Sequence, residues 1–79
     1  MSYEQKVIEI VAEVLGAEKH DVTPSKRLIE DLGADSLELT ELMMEIEGKF
    51  DLSVPDAEQA KLKTVKDLID FIATVKTAH

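Results

Sequence analysis

The chain contains no cysteine, which excludes a disulfide framework, a thiolate metal site and a thiol nucleophile. That absence accords with a reducing compartment. Long apolar runs are missing too. Nothing approaches the roughly 18–20 residues needed to span a bilayer, so stable membrane insertion is not expected. The opening MSYEQKVIEI has neither the basic n-region nor the apolar core of a signal peptide. Bases are scarce: 9 Lys and Arg against 17 Asp and Glu leave a net charge of −8. Such a surface repels the phosphate backbone of nucleic acid and favours partners with basic patches. There is no HExxH, no glycine-rich phosphate loop and no alternating-acid calcium loop. His20 reads as a solvated loop residue and His79 as a tail residue, and neither is a credible base for a serine. No catalytic residue and no metal ligand are therefore assigned.

What is present is one small domain, residues 1–79. Ser2 with Gln5 forms a capping-box pattern, and Tyr3, Val7, Ile10, Val11 and Val14 then recur on one helical face. Gly16 is the natural stop. Periodicity fades over residues 17–32, around Thr23-Pro24-Ser25, and predicts a first loop far longer than the usual ~4–6 residues. Val22, Leu28, Ile29 and Leu32 are expected to pin that loop to the core.

A second helix follows Gly33-Ala34-Asp35, with Asp35 as cap and Glu38 at the third helical position. Its core stripe is Leu39, Leu42, Met43, Ile46 and Phe50. Pro55 opens a short helix of about two turns, anchored by Val54 and Leu62. Thr64 with Asp67 caps a last helix carrying Val65, Leu68, Ile69, Ile72 and Val75 inward, and residues 76–79 are expected to fray. No alternating pattern suggests a strand. The fold class is all-α: a small four-helix bundle of three long helices and one short, with a long first loop.

The informative stretch is LGADSLELTELMMEIEGKF, residues 32–50. From Glu30 to Glu47 the charged residues are Glu30, Asp31, Asp35, Glu38, Glu41, Glu45 and Glu47, with no base. Leu37 and Met44 fall opposite the core stripe, beside Glu38, Thr40, Glu41, Glu45 and Glu47, and have no internal task. Scattered exposed apolar residues mean little, but among acids they read as a recognition surface. Ser36 lies in the first helical turn, where free N–H groups and the positive dipole end favour a phosphate. Most serines before helices are surface serines or helix caps, and residue types and spacing alone do not set Ser36 apart from them.

LIEDLGADSLELTELMMEIEGKF, followed by FDLSVPDAEQAKLKTVKDLIDFI, resembles the acyl carrier proteins of dissociated (type II) fatty acid synthesis. The resemblance covers essentially the whole chain, including its acidity, its long first loop and the Val-Pro-Asp and Thr-Val landmarks. Its most specific piece is Gly33-Ala34-Asp35-Ser36-Leu37. It implies that Ser36, flanked by Asp35 and Leu37, carries 4′-phosphopantetheine, installed from coenzyme A by a phosphopantetheinyl transferase. Acyl groups would ride on the terminal thiol, so the chain is a carrier rather than an enzyme. The partner-reading helix corresponds to residues 35–48. Asp35, Leu37, Glu38, Thr40, Glu41, Met44, Glu45 and Glu47 would meet basic patches on fatty acid synthesis enzymes and acyltransferases.

By the same resemblance the acyl chain slips between the helices, with Val7, Leu42, Ile46, Phe50, Leu62 and Ile69 as its expected lining. A monomer is expected, in the bacterial cytosol or, for a processed chain, an organelle stroma. Glu38 stands where Asp is usual, Thr40 replaces the frequent Val, and Gly48 takes a place that is often acidic. These departures bear on partner preference. Two other readings remain: a carrier for another pathway (polyketide, lipid A or lipoyl precursor), and an unmodified acidic module that binds a basic partner.

Overall fold

The computed structural model describes residues 3–77. The Ser2 cap and the His79 tail expected from sequence lie outside them. Three long helices and one short helix are present, with no strand among the described residues. Helix α1 spans Tyr3–Leu15 and buries Val7, Ile10, Val11 and Ala12. It ends where the sequence places its stop. Gly16 takes a positive φ of 66°, and the Ala17 N–H reaches back to the Ala12 carbonyl at 3.0 Å, the six-to-one bond of a Schellman cap.

Helix α2 spans Ser36–Phe50 and buries Leu42, Met43, Ile46 and Phe50. Leu39 is only half-buried at the edge of that stripe. Asp51 closes α2 in the left-handed region, φ 55° and ψ 58°, a conformation that Asp tolerates better than most side chains. Helix α3 is the single turn Asp56–Gln59, shorter than the expected two turns. Four residues cannot hold a helix by their own hydrogen bonds, and the chain returns to the core at Leu62. Helix α4 spans Val65–Thr77 and buries Val65, Leu68 and Ile72. It runs two residues further than expected, and the Thr77 hydroxyl donates to the Ala73 carbonyl at 2.6 Å.

Helix α1 packs against both α2 and α4. The Tyr3 and Phe50 rings meet edge-on with centroids 6.0 Å apart, so the start of α1 lies beside the end of α2. Such a ring pair adds ~0.5–1.5 kcal/mol beyond the area it buries.

The long first loop is not slack. It holds one 3-10 turn, Lys19–Asp21, and then lies alongside the start of α4. The Leu28 N–H donates to the Lys63 carbonyl (2.9 Å), the Val65 N–H to the Lys26 carbonyl (3.0 Å) and the Lys66 N–H to the Pro24 carbonyl (2.9 Å). Arg27 and Thr64 form an isolated antiparallel bridge. The Arg27 guanidinium grips the Asp31 carboxylate with two bonds of 3.1 Å, and the Arg27 backbone N–H adds a third of 2.8 Å. This grip holds the Asp31 carboxyl down at about 2, through the Arg27 side chain first and its backbone N–H second.

Leu28 and Val22 are sealed in the core at 1% exposure, whereas Ile29 is 53% exposed. Ile29 therefore does not pin the loop as the sequence suggests. Its neighbour Leu28 takes that role, because adjacent residues on this irregular backbone point to opposite sides.

Candidate functional site

The loop delivers Ala34 into the core at 5% exposure, fixed by its N–H to the Leu28 carbonyl at 2.9 Å. Gly33 makes the preceding turn at φ 73°, and a Cβ there would meet nothing within 4 Å. Its role is the backbone conformation together with open space beside the helix start.

Asp35 is extended, at φ −97° and ψ 179°, and caps α2. Its carboxylate accepts the Glu38 N–H at 2.8 Å, and the Glu38 carboxylate accepts the Asp35 N–H at 3.1 Å. Both halves of a capping box are thus closed. Between them Ser36 is the first helical residue and is exposed. Its hydroxyl has no hydrogen-bond partner among the described residues. Its carbonyl accepts the Thr40 hydroxyl at 3.0 Å, which turns Thr40 back onto its own helix.

Leu37 is 68% and Met44 64% exposed, as periodicity predicts. Beside Met44 a groove of about 400 Å³ opens between α1 and α2, lined by Glu13, Val14, Glu41, Met44 and Glu45. The carboxylates of Glu13, Glu41 and Glu45 make no ion pair or hydrogen bond among the described residues. Glu13 and Val14 are new to the surface. Along the sequence Val14 belongs to the apolar face of α1 and Glu13 to its wet side, and nothing local reveals that α1 brings them beside α2.

Glu47 departs from its expected place. Its carboxylate turns inward and accepts the Val54 N–H at 2.7 Å in a part-buried setting. The acids expected together on one surface thus divide. Asp35, Glu38 and Glu47 are engaged with backbone, while Glu41 and Glu45 are open to a partner.

A cleft of about 220 Å³ lies between the first loop, α2 and the end of α3, lined mainly by Leu28, Ile29, Leu39, Gln59, Ala60 and Leu62. Of the residues expected to line an acyl pocket, only Leu62 borders this cleft. Val7, Leu42, Ile46 and Phe50 are closed within the packed core, and Ile69 is half-buried against it. They face the bundle axis, where side chains interlock without room for a guest. A larger depression of about 700 Å³ beside the 3-10 turn includes no residue of α2. There His20 is exposed, with Nε2 3.6 Å from Asp21. No group of side chains that could hold a metal ion occurs among the described residues, and no helix is long and apolar enough to cross a membrane.

Comparison with known proteins gives this geometry a family. Residues 5–72 match the phosphopantetheine attachment site family. An acyl carrier protein of Syntrophobacter fumaroxidans is 42% identical over 73 residues, covering 92% of this chain and 90% of that protein. A solved structure from Mycobacterium tuberculosis, assigned as an acyl carrier protein, superposes with a TM-score of 0.87 at 28% identity. It covers 94% of this chain and 99% of its own. The chain belongs to the acyl carrier proteins, whose prosthetic group is 4′-phosphopantetheine.

Proposed function

We propose that Ser36 is the attachment point for 4′-phosphopantetheine, and that the chain carries acyl groups between enzymes of dissociated fatty acid synthesis. One observation carries this reading. The Ser36 hydroxyl is exposed and unpartnered at the first position of a helix whose cap is fully closed. The residues around it fit a phosphodiester. Gly33 leaves space, and the cap takes the Glu38 N–H while the N–H groups of Ser36 and Leu37 stay available at the positive end of α2. Bound there, the group supplies the terminal thiol that a cysteine-free chain lacks. Asp35 and Glu38 hold the serine's turn rigid, and Leu37 gives an incoming enzyme an apolar contact.

The docking face is Leu37, Glu41, Met44 and Glu45, continued by Glu13 and Val14. It presents carboxylates around an apolar strip to basic patches on the phosphopantetheinyl transferase and on acyl-handling enzymes. Charges at such a rim set encounter rate and orientation more than affinity, which suits a shuttle that must leave each enzyme. The chain acts as a protein-bound cosubstrate, in the cytosol and as a monomer.

Intact-protein mass spectrometry after incubation with coenzyme A and a broad-specificity transferase tests the reading. Wild type gains one phosphopantetheinyl group and Ser36→Ala gains none. An unmodified wild type, also unmodified when made in its native cells, overturns it. Profiling the acyl groups on the chain in cells separates fatty acid synthesis from another carrier pathway.

A further inference from the structure

We propose that Glu47 is a positioning residue that holds α3 in place and so sets the width of the cleft beside Leu39, rather than a partner contact. Three bonds converge on it. Its backbone carbonyl accepts the N–H groups of Asp51 and, at 3.2 Å, Leu52, and its carboxylate accepts the Val54 N–H at 2.7 Å. The segment between α2 and α3 thus hangs on one residue of α2.

Val54 is held from the other side as well. Its carbonyl accepts the Gln59 side-chain amide at 2.9 Å, and its side chain is 3% exposed. Both backbone polar groups of Val54 are therefore fixed by side chains from two different helices. Gln59 also lines the cleft, with Ala60 and Leu62, opposite Leu28, Ile29 and Leu39. A one-turn helix does not place itself. The chain of contacts from Glu47 through Val54 to Gln59 places it.

The position of Glu47 argues the same way. A carboxylate in the last turn of a helix opposes the negative end of the dipole. Here that charge is used by an N–H it approaches closely, as a charge-assisted bond. The functional part of the inference rests on the carrier reading above. The cleft is where an acyl chain would enter, and Glu47 governs its α3 wall.

Two substitutions separate geometry from charge. Glu47→Asp keeps the charge and shortens the arm, breaking the bond to Val54. Glu47→Gln removes the charge but keeps an acceptor of the right reach. Amide hydrogen exchange on the unmodified chain reads the clamp directly. The Val54 amide should exchange about ten- to a hundredfold faster in Glu47→Asp, and stay within about threefold of wild type in Glu47→Gln. The Val11 amide, deep in α1, serves as the control for global stability and should not follow.

On chains loaded with acyl groups of graded length, Glu47→Asp should alter how thioester protection depends on length, while Glu47→Gln restores it. Transferase kcat/KM should be unchanged in both. Equal Val54 exchange in all forms overturns the clamp. Loss of transferase turnover in Glu47→Gln, with turnover kept in Glu47→Asp, returns Glu47 to the docking face. The exchange measurement needs no prosthetic group, so failure of Ser36 loading would sink the carrier reading and leave the clamp standing.

Discussion

The carboxylate of Glu38 accepts the backbone N–H of Asp35 at 3.1 Å, while the carboxylate of Asp35 accepts the backbone N–H of Glu38 at 2.8 Å. Ser36 follows Asp35 directly, exposed within the turn that these two reciprocal bonds close at the start of α2. The longer Glu side chain at this position is what reaches back over a full turn to close the box. Asp35→Ala should cost ~0.5–2 kcal/mol, several degrees of thermal midpoint in a domain of this size. Asp35→Asn should cost less, since it keeps an acceptor. Thermal unfolding followed by circular dichroism checks both, and equal losses in the two variants would show that charge rather than capping matters there.

The groove between α1 and α2 predicts that docking is not confined to α2. Glu13→Lys should lower transferase kcat/KM by roughly two- to tenfold at low salt, comparably to Glu41→Lys or Glu45→Lys. The loss should shrink as salt is raised, because exposed charges are screened. Steady-state kinetics across a salt series measures this. A Glu13→Lys variant as active as wild type at low salt would confine the surface to α2.

Leu28 and Ile29 are neighbours with opposite fates, at 1% and 53% exposure. Leu28→Ala should destabilise the fold by ~2–5 kcal/mol, enough to unfold much of a small domain. Ile29→Ser should change stability by less than ~0.5 kcal/mol. Urea unfolding of the two variants distinguishes them. Comparable losses would place Ile29 in the core after all.

Acid should release the first loop in a defined window. The Asp31 carboxyl lies at about 2 when folded, against an ordinary 3.8, through the Arg27 side chain and then its backbone N–H. A depressed carboxyl stabilises the fold fully above its unfolded value and loses that contribution as pH falls through the folded one. The advantage of wild type over Asp31→Asn should therefore be constant from pH 7 to about 5, then decline from about pH 4 towards pH 2. Asp67 is also held low. Burial there works upward, but the N–H groups of Lys63 and Thr64 and the Thr64 hydroxyl outweigh it. Urea midpoints for the Asp31 pair at each pH test the window, and a gap that persists at pH 2 would count against it.

The amino-acid sequence by itself determined the three long helices and most of their ends. The spacing of Val7, Ile10 and Val11, the Gly16 stop, the Asp35 and Glu38 box and the Thr64 and Asp67 box all act within about one helical turn, so they are legible without a fold. Ser36 and the exposure of Leu37 and Met44 follow from the same local geometry. The length of α3 did not, because a short helix depends on what it packs against.

Only the tertiary structure decided which of two adjacent loop residues, Leu28 or Ile29, enters the core, since irregular backbone carries no period to read. It also decided which acids remain open to a partner. Glu47 looks like part of the acidic face until the backbone N–H of Val54, beyond the end of the helix, comes within 2.7 Å of its carboxylate. Glu13 looks like an ordinary solvated residue of α1 until packing sets it beside Glu41 and Glu45. Whether a carboxylate is engaged or open depends on which groups the fold brings within hydrogen-bonding distance, and that proximity is a property of three-dimensional packing alone.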